Sequence, residues 1–291
     1  MERIAISGAT GYIGIHLIEK LREEYEILAF VRAESDISRL KSLISANCII
    51  TIGQEDIYER VKEFQPNYYI NLVGKFIVEH TQKNLDDLLE SNFTLPTMLL
   101  DAVCQAGCKK IINTESYWQH YGGQNSNPVD MYAAAKNGFK EIIRYYVEAM
   151  ECSCISLILF DTYGADDRRK KLLNCIAQMK EGESIDLTDC SQKMYFCHIK
   201  DVIKAYEVAL HMISQFVSGQ LQEFAVRGDK PRELKDIVME LTEMMNRKIY
   251  LNFGIREGRK REIVDPEGIG KVLTGWSCEV ELHEGLREMI E

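Results

Sequence analysis

Along positions 1–160 the chain alternates between two spacings of apolar residues. Short apolar runs at 4–6, 26–31, 48–52, 67–73, 109–113 and 153–160 read as strands buried on both faces. Between them, apolar residues recur three and four apart, as amphipathic helices require. The first helical set is Ile13, Leu17, Ile18 and Leu21. Further helices are predicted at 35–44, at 55–64 with Pro66 as the stop, at 82–106 with Pro96 interrupting the pattern, and at 129–150. Strand and helix in strict alternation predict an α/β fold, a doubly wound parallel sheet covered on both faces. Past residue 161 the rhythm changes. A helix with a basic start is predicted at 168–181, strand-like pieces at 195–199 and 224–226, a helix from an Asp201 cap to Met212, and another at 233–245. The division expected is a Rossmann-type cofactor domain over 1–160 and a small mixed α/β substrate-binding cap over 161–291, with some cap segments returning to the main sheet.

With 291 residues, 46% of them hydrophobic, the chain can bury a substantial core. A net charge of -10 argues against a nucleic acid polymer or an anionic membrane as the main partner. It leaves room for a small anionic substrate met by a local basic patch. No run approaches the ~20 apolar residues of a membrane helix. A strand begins at the N-terminus, so neither a signal nor a transit peptide is expected, and the protein is expected in the cytoplasm. The nine cysteines lack zinc-site spacing, Cys104/Cys108 and Cys152/Cys154 included. They are expected as reduced, mostly buried thiols, with no metal.

Between the first strand and the first helix stand Gly8, Gly11 and Gly14. Glycines at a strand–helix corner let the backbone approach a pyrophosphate, and the helix N-terminus offers it free N–H groups. The spacing G-x-x-G-x-x-G places Thr10, Tyr12 and Ile13 beside the same group. Arg32 ends the second strand, where an acid would bond the ribose 2′-hydroxyl of NAD and an arginine accommodates the 2′-phosphate of NADP. NADP(H) is therefore expected, with NAD(H) the alternative. The fourth strand ends in Leu72-Val73-Gly74, which should face ribose and nicotinamide.

The chemistry-bearing set is Ser116 beyond the fifth strand, with Tyr132 and Lys136 four apart on one helix face. A free phenol titrates near 10 and exchanges protons poorly at neutral pH. An ammonium fixed beside it is expected to lower that value. Ser116 can hold a substrate carbonyl oxygen next to Tyr132; Thr114 is the less favoured substitute, and a turn hydroxyl bonding its own backbone is the plain alternative.

The glycine corner, Ser116 and Tyr132-x-x-x-Lys136, in this order and spacing, resemble the extended short-chain dehydrogenase/reductase family of nucleotide-sugar enzymes, over the whole chain. Phe160-Asp161-Thr162-Tyr163-Gly164 and His198-x-x-Asp201 match its later landmarks. The runs 113–121, 127–129 and 160–164 are similar to the CDP-abequose synthase group, reductases of 4-keto deoxysugars carried on a nucleoside diphosphate. Glu115 and Ala165 depart from that pattern, which has glycine and proline there.

The resemblance implies that NADPH delivers hydride to a C4 ketone, Tyr132 protonates the developing alkoxide, Ser116 bonds the same oxygen and Lys136 tunes Tyr132 and bonds the nicotinamide ribose. It adds Phe160 and Thr162 to the cofactor contacts. It implies a nucleoside-diphosphate sugar against Lys75, Phe76, Trp118 and His120, with Arg169, Lys171 and Arg256 toward the diphosphate; Arg256 is preferred to nearby Arg259. His198 is read as a partner of the following helix start. Related dehydratases place Asp-Glu after the catalytic hydroxyl; here Tyr117-Trp118 stand there, against dehydration. A 4-epimerase with the same three residues is the alternative, and a non-catalytic NADP-binding sensor or scaffold a further one. The two long helices imply a homodimer.

Overall fold

The computed structural model describes residues 1–77 and 79–291. Its first half is built of β1 (Glu2–Ser7), α1 (Tyr12–Leu21), β2 (Tyr25–Val31), α2 (Ser38–Leu43), β3 (Ile49–Thr51), α3 (Ile57–Phe64), β4 (Tyr68–Asn71), α4 (Leu85–Leu89), α5 (Leu95–Gln105), β5 (Lys110–Ser116), α6 (Met131–Ala149) and β6 (Ser153–Leu159). The second half holds β7 (Asp161–Tyr163), α7 (Leu172–Ala177), β8 (Ser184–Asp186), β9 (Lys193–Met194), β10 (Phe196–His198), α8 (Ile199–Ser214), β11 (Leu221–Val226), β12 (Arg232–Glu233), α9 (Leu234–Met244), β13 (Tyr250–Asn252) and α10 (Leu282–Glu288).

One seven-stranded sheet runs in the order β11-β6-β5-β4-β1-β2-β3, every neighbouring pair parallel. The order reverses between β1 and β4. Connections on either side of that point leave in opposite directions, which opens a crevice beyond the strand ends. Two apolar layers cover the sheet. One packs Leu17 and Ile18 of α1 with Val202 and Tyr206 of α8 against Ile4, Ile6 and Ile70. The other packs Leu99 and Val103 of α5 with Phe139 and Ile143 of α6 against Ala5, Tyr69 and Ile111. A separate core joins α7, α9 and α10 through Ile176, Val238 and Leu286. β11 gives the main sheet its outer strand, whereas β7 pairs with β10 apart from it.

Three expectations needed correction. The helix predicted at 82–106 is divided by a π-helical turn at Glu90–Thr94, with Pro96 in the first turn of α5. Proline offers no N–H to the carbonyl four residues back, and a widened turn absorbs that gap. The helix predicted at 168–181 is only Leu172–Ala177, because Arg169 and Lys171 turn inward to carbonyl and carboxylate partners. α8 is capped by His198, which accepts from the Lys200 N–H at 3.4 Å. Asp201 instead accepts from the N–H groups of Glu279 and Val280, at 3.1 and 3.0 Å, and so ties down the C-terminal segment.

Among the described residues no helix is long and apolar enough to cross a membrane. All the cysteines carry free thiols.

Candidate active site

The glycine corner leaves no room for side chains. Gly8 has φ +71°, and a Cβ there would lie 2.7 Å from the Leu72 carbonyl carbon. On Gly14 a Cβ would run into the Gly8 carbonyl and lie 2.9 Å from Ala9 Cα. Gly11 caps α1 in extended conformation, with no side chain bonded to the first N–H groups and no acid in the first turn. Those donors therefore face the crevice unclaimed, which fits a phosphate-bearing cofactor. Thr10 lies half-buried in the same turn, and Ile13 half-buried on the first turn of α1. Tyr12 is tied to the far side of the crevice: its hydroxyl donates to the Ala165 carbonyl at 2.8 Å, and the Arg169 guanidinium lies 4.7 Å over its ring. Arg32 is exposed at the end of β2, its Nε 3.2 Å from Glu34.

A buried polar ladder aligns the strands beneath the crevice. The Ser7 hydroxyl donates to Asn71 Oδ1 at 2.8 Å, and Asn71 Nδ2 donates to Asn113 Oδ1 at 2.9 Å. Beyond β4 the chain passes Leu72 and Val73 to Gly74, where an added Cβ would stand 3.5 Å from Lys136 Cε, an ordinary contact. Asn92, in the π-helical turn, accepts from the Lys75 N–H and donates to its carbonyl, both at 3.0 Å. The π-turn thus fixes the segment that carries Gly74 and Lys75. The Lys75 ammonium is taken by Asp87.

Ser116 ends β5, and its N–H donates to Gln119 Oε1 at 2.9 Å. Tyr132 lies on the first turn of α6, which Asp130 caps by accepting from Ala133 N–H at 2.8 Å. That turn sets the Tyr132 phenol facing Ser116, whose hydroxyl accepts from the Trp118 N–H at 3.3 Å. Burial pushes the phenol's pKa up and Asp130 adds to this; Ser116 and Arg169 draw it down without cancelling the rise. Lys136, one turn on, is 7% exposed. Its ammonium donates to the carbonyls of Thr114 at 2.9 Å and Val73 at 3.4 Å, and burial brings its pKa down to about 8, against the opposing pull of Glu115. The expected lowering of the phenol by Lys136 is therefore not what the geometry shows. Nζ lies 5.8 Å from the centre of the Tyr132 ring and spends its donors on carbonyls.

Aromatic side chains wall the opening. Phe76, 50% exposed, meets Trp118 edge-on at 4.9 Å and Tyr132 at 5.3 Å between ring centres. Tyr117 stacks on Phe160 at 4.8 Å and donates its hydroxyl to Asp161 at 2.8 Å. The Thr162 carbonyl accepts from Arg169 at 3.0 Å and Lys171 at 3.3 Å. Each of these cations also has its own carboxylate, Asp167 at 2.7 Å and Asp161 at 3.6 Å respectively.

Two of the expected substrate contacts lie elsewhere. His120 is 3% exposed and within electrostatic reach of Lys140 and Glu223, under the Tyr117–Gln119 turn. As the protein stands it does not line the opening, because the bonds of His120 N–H to the Tyr117 carbonyl and of Tyr121 N–H to Asn127 fold the segment inward. Arg256 is exposed beyond β13, with its N–H on the Leu187 carbonyl. The arginine that reaches the aromatic wall is Arg259, 4.2 Å over the Trp118 ring.

Strand, glycine corner, helix and a Tyr-x-x-x-Lys helix beside β5 recur in one family. Residues 4–222 match the NAD dependent epimerase/dehydratase family. The chain belongs to that family. It is thus an NAD(P)-dependent enzyme of the extended short-chain dehydrogenase/reductase type, with a likeness to CDP-abequose synthases. It is 28% identical to the CDP-abequose synthase of Salmonella muenchen, across 99% of this chain and 97% of that protein. Identity to the CDP-abequose synthase of Yersinia pseudotuberculosis is 26%, across 91% and 92%. The fold also superposes on UDP-glucuronic acid 4-epimerase from Bacillus cereus, solved with UDP-glucuronic acid and NAD, with TM-score 0.81, 19% identity, and 99% and 98% of the two chains covered.

Proposed function

We propose that this family member uses NADPH to reduce the C4 ketone of a nucleoside-diphosphate 4-keto-deoxysugar. The observation that carries the reading is the Tyr132 phenol, set against Ser116 with its pKa held up by burial and Asp130. A phenol that keeps its proton at neutral pH is suited to donate it to an alkoxide as the alkoxide forms. The nicotinamide, when bound, supplies the hydride. Ser116 bonds the carbonyl oxygen and fixes it beside Tyr132. Lys136, extended between two carbonyls, reaches the floor of the crevice where a ribose hydroxyl would meet its third N–H.

The free N–H groups of α1, with Gly8, Thr10, Gly11, Tyr12, Ile13 and Gly14, would hold the pyrophosphate. Leu72, Val73, Gly74, Phe160 and Thr162 would line the ribose and nicotinamide. Exposed Arg32 supports the 2′-phosphate of NADP over NAD. On this reading residues 1–160 bind cofactor and 161–291 mainly bind the sugar nucleotide, in a cytoplasmic enzyme. Phe76, Trp118 and Arg259 form the sugar-nucleotide wall. Lys75, Arg169 and Lys171, already paired to carboxylates, would turn to a diphosphate only by loosening those pairs. Dehydration is disfavoured because buried Tyr117 and Trp118 stand where an acid and a base would follow the hydroxyl.

Homodimer formation is supported by the outer face of α6. Met131 and Ala134 are half-buried along it and Tyr145 is 60% exposed; Leu89 of α4 is exposed as well. A monomer mass by light scattering would count against it.

The superposition on a 4-epimerase keeps that second reading in view. NADPH oxidation over a panel of CDP-, dTDP-, UDP- and GDP-4-keto-6-deoxysugars separates the two. A reductase consumes NADPH in step with sugar, and Tyr132→Phe cuts this about 10²–10⁴-fold with cofactor binding kept. A 4-epimerase has no C4 stereocentre to invert on these ketones; given the corresponding 4-hydroxy sugars and NAD it interconverts the C4 epimers with no net oxidation, and that result rejects the reductase reading.

A further inference from the structure

Ser116, the hydroxyl of the proposed reaction, is held by two amide side chains that the reaction as described does not use. It ends β5 and caps a short 3₁₀ turn, Tyr117–Gln119. The turn closes on it in both directions. Trp118 N–H donates to Ser116 Oγ at 3.3 Å, and Ser116 N–H donates to Gln119 Oε1 at 2.9 Å. A reciprocal cap of this kind fixes the capping residue through both its side chain and its backbone. Gln119 is fully buried, and the other end of its amide leaves the turn. Its Nε2 donates to Asn137 Oδ1 at 2.9 Å. Asn137 directly follows Lys136 on α6, the helix that also carries Tyr132. One side chain thus bonds the serine's own N–H at one end and the helix of the tyrosine and lysine at the other. Backbone bonds from Val129 N–H to the Trp118 carbonyl and from Asn127 N–H to the Gln119 carbonyl, both at 2.9 Å, grip the residues beyond the serine instead.

The bridge runs in one sense. Because Gln119 Oε1 accepts from the serine, Nε2 is the donor end and requires an acceptor on α6. Asn137 supplies its oxygen and leaves its own Nδ2 buried with no partner among the described residues. A buried donor left unmade costs stability, and two apolar side chains of the same shape would carry no such cost. We propose that Gln119, anchored by Asn137, is a positioning residue that sets Ser116 against Tyr132. With Oγ accepting from Trp118 N–H, the serine's own proton is left for the acceptor in front of it, which on the ketoreductase reading is the ketone oxygen. The tie to α6 keeps that donor at a fixed spacing from the phenol. The consequence for turnover rests on the ketoreductase reading; the hold on the serine turn does not.

The hold is tested first without substrate, by amide hydrogen exchange at Ser116 and Trp118. Asn137→Leu removes the anchor and speeds exchange there about 2–10-fold, the worth of one neutral hydrogen bond. Asn137→Asp keeps an acceptor for Gln119 Nε2 and stays near the parent. NADPH affinity, read by fluorescence, holds in both variants. Unmoved exchange in folded Asn137→Leu overturns the proposal, and so does a parallel loss of NADPH affinity, which would make Asn137 a general support of the crevice. Where an active sugar is found, Gln119→Met lowers kcat about 10–100-fold with KM kept, as misplacement of a reacting group does. In Ser116→Ala protein the same substitution costs nothing further, because its effect runs through the serine; an equal further loss there overturns the proposal. If no sugar is turned over, the ketoreductase reading fails while the exchange measurement still decides the role of Gln119.

Discussion

The Lys136 ammonium donates to the Thr114 carbonyl at 2.9 Å and lies 5.8 Å from the centre of the Tyr132 ring. Lysine and tyrosine share a helix face, but the lysine is spent on the ends of β4 and β5. Its first task is to join the two strands that border the crevice, and a bound ribose would complete its donor set. The phenol meanwhile stays protonated, as a proton donor requires.

Lys136 should make the folded protein less stable near neutrality than it need be. Its folded value of about 8 lies below the ordinary lysine value, so between the two the unfolded chain binds more protons and stability rises with pH. Below pH 8 the full cost of the buried ammonium is present, about 3 kcal/mol at most. Lys136→Met should raise Tm at pH 7 and abolish turnover, and the gain should shrink as the pH climbs from 8 toward the unfolded value. Thermal melts across that range check it; a lower Tm at pH 7 would show that the two carbonyl bonds outweigh burial.

Gly14→Ala should damage both the fold and the cofactor site. The added methyl has nowhere to go between the Gly8 carbonyl and Ala9, all of it backbone. Overpacking of this kind costs about 1–3 kcal/mol. The shifted helix start also withdraws the free N–H groups, so NADPH affinity, read by fluorescence titration, should fall more than stability alone explains.

Arg32 sets the cofactor preference on our reading. Its guanidinium is exposed and its partner Glu34 is a solvated neighbour, so it is free to turn to a 2′-phosphate. Arg32→Ala should weaken NADPH binding by the worth of one charge-assisted contact, about 1.5–3 kcal/mol, and leave NADH nearly unchanged. Equal losses for both cofactors would place the 2′-phosphate elsewhere.

The alternation of apolar runs and helical faces gave a doubly wound sheet, and the seven parallel strands bear it out. It was legible because strand burial and helix amphipathicity are local properties of the chain. The glycine corner was legible for a similar reason: its steric demand falls between residues only a few positions apart. What was not legible depended on distant partners. The π-turn holds Asn92 against Lys75, seventeen residues away, and the periodicity of the helix carries no sign of it. His120 follows an aromatic run that borders the opening, yet the bonds of its own loop fold it inward, where it is buried. Glu115 reads as a departure from a pattern; only the packing of α6 and β11 around it shows a buried ion cluster.

Arg256 and Arg259 are three residues apart in one basic loop, and the resemblance alone put Arg256 first. The structure separates them by what lies beneath. Arg259 covers Trp118 at 4.2 Å, and Trp118 meets Phe76, which meets Tyr132. Its carboxylate neighbour Glu262 stands 3.8 Å away and partly exposed, a weak hold. A diphosphate entering beside the aromatic wall can take Arg259 from Glu262 at small cost while the guanidinium keeps its place over the ring. Arg256 has no such platform among the described residues, and its loop is held by backbone bonds to Leu187. Arg259→Ala should therefore raise KM for the sugar nucleotide by about 10–100-fold, as loss of a charge-assisted contact does, and leave KM for NADPH unchanged. Arg256→Ala should leave both within about twofold. Steady-state kinetics of the two variants on the active sugar would reveal the reverse ranking at once, and that result would move the diphosphate away from the Trp118 wall and toward β13.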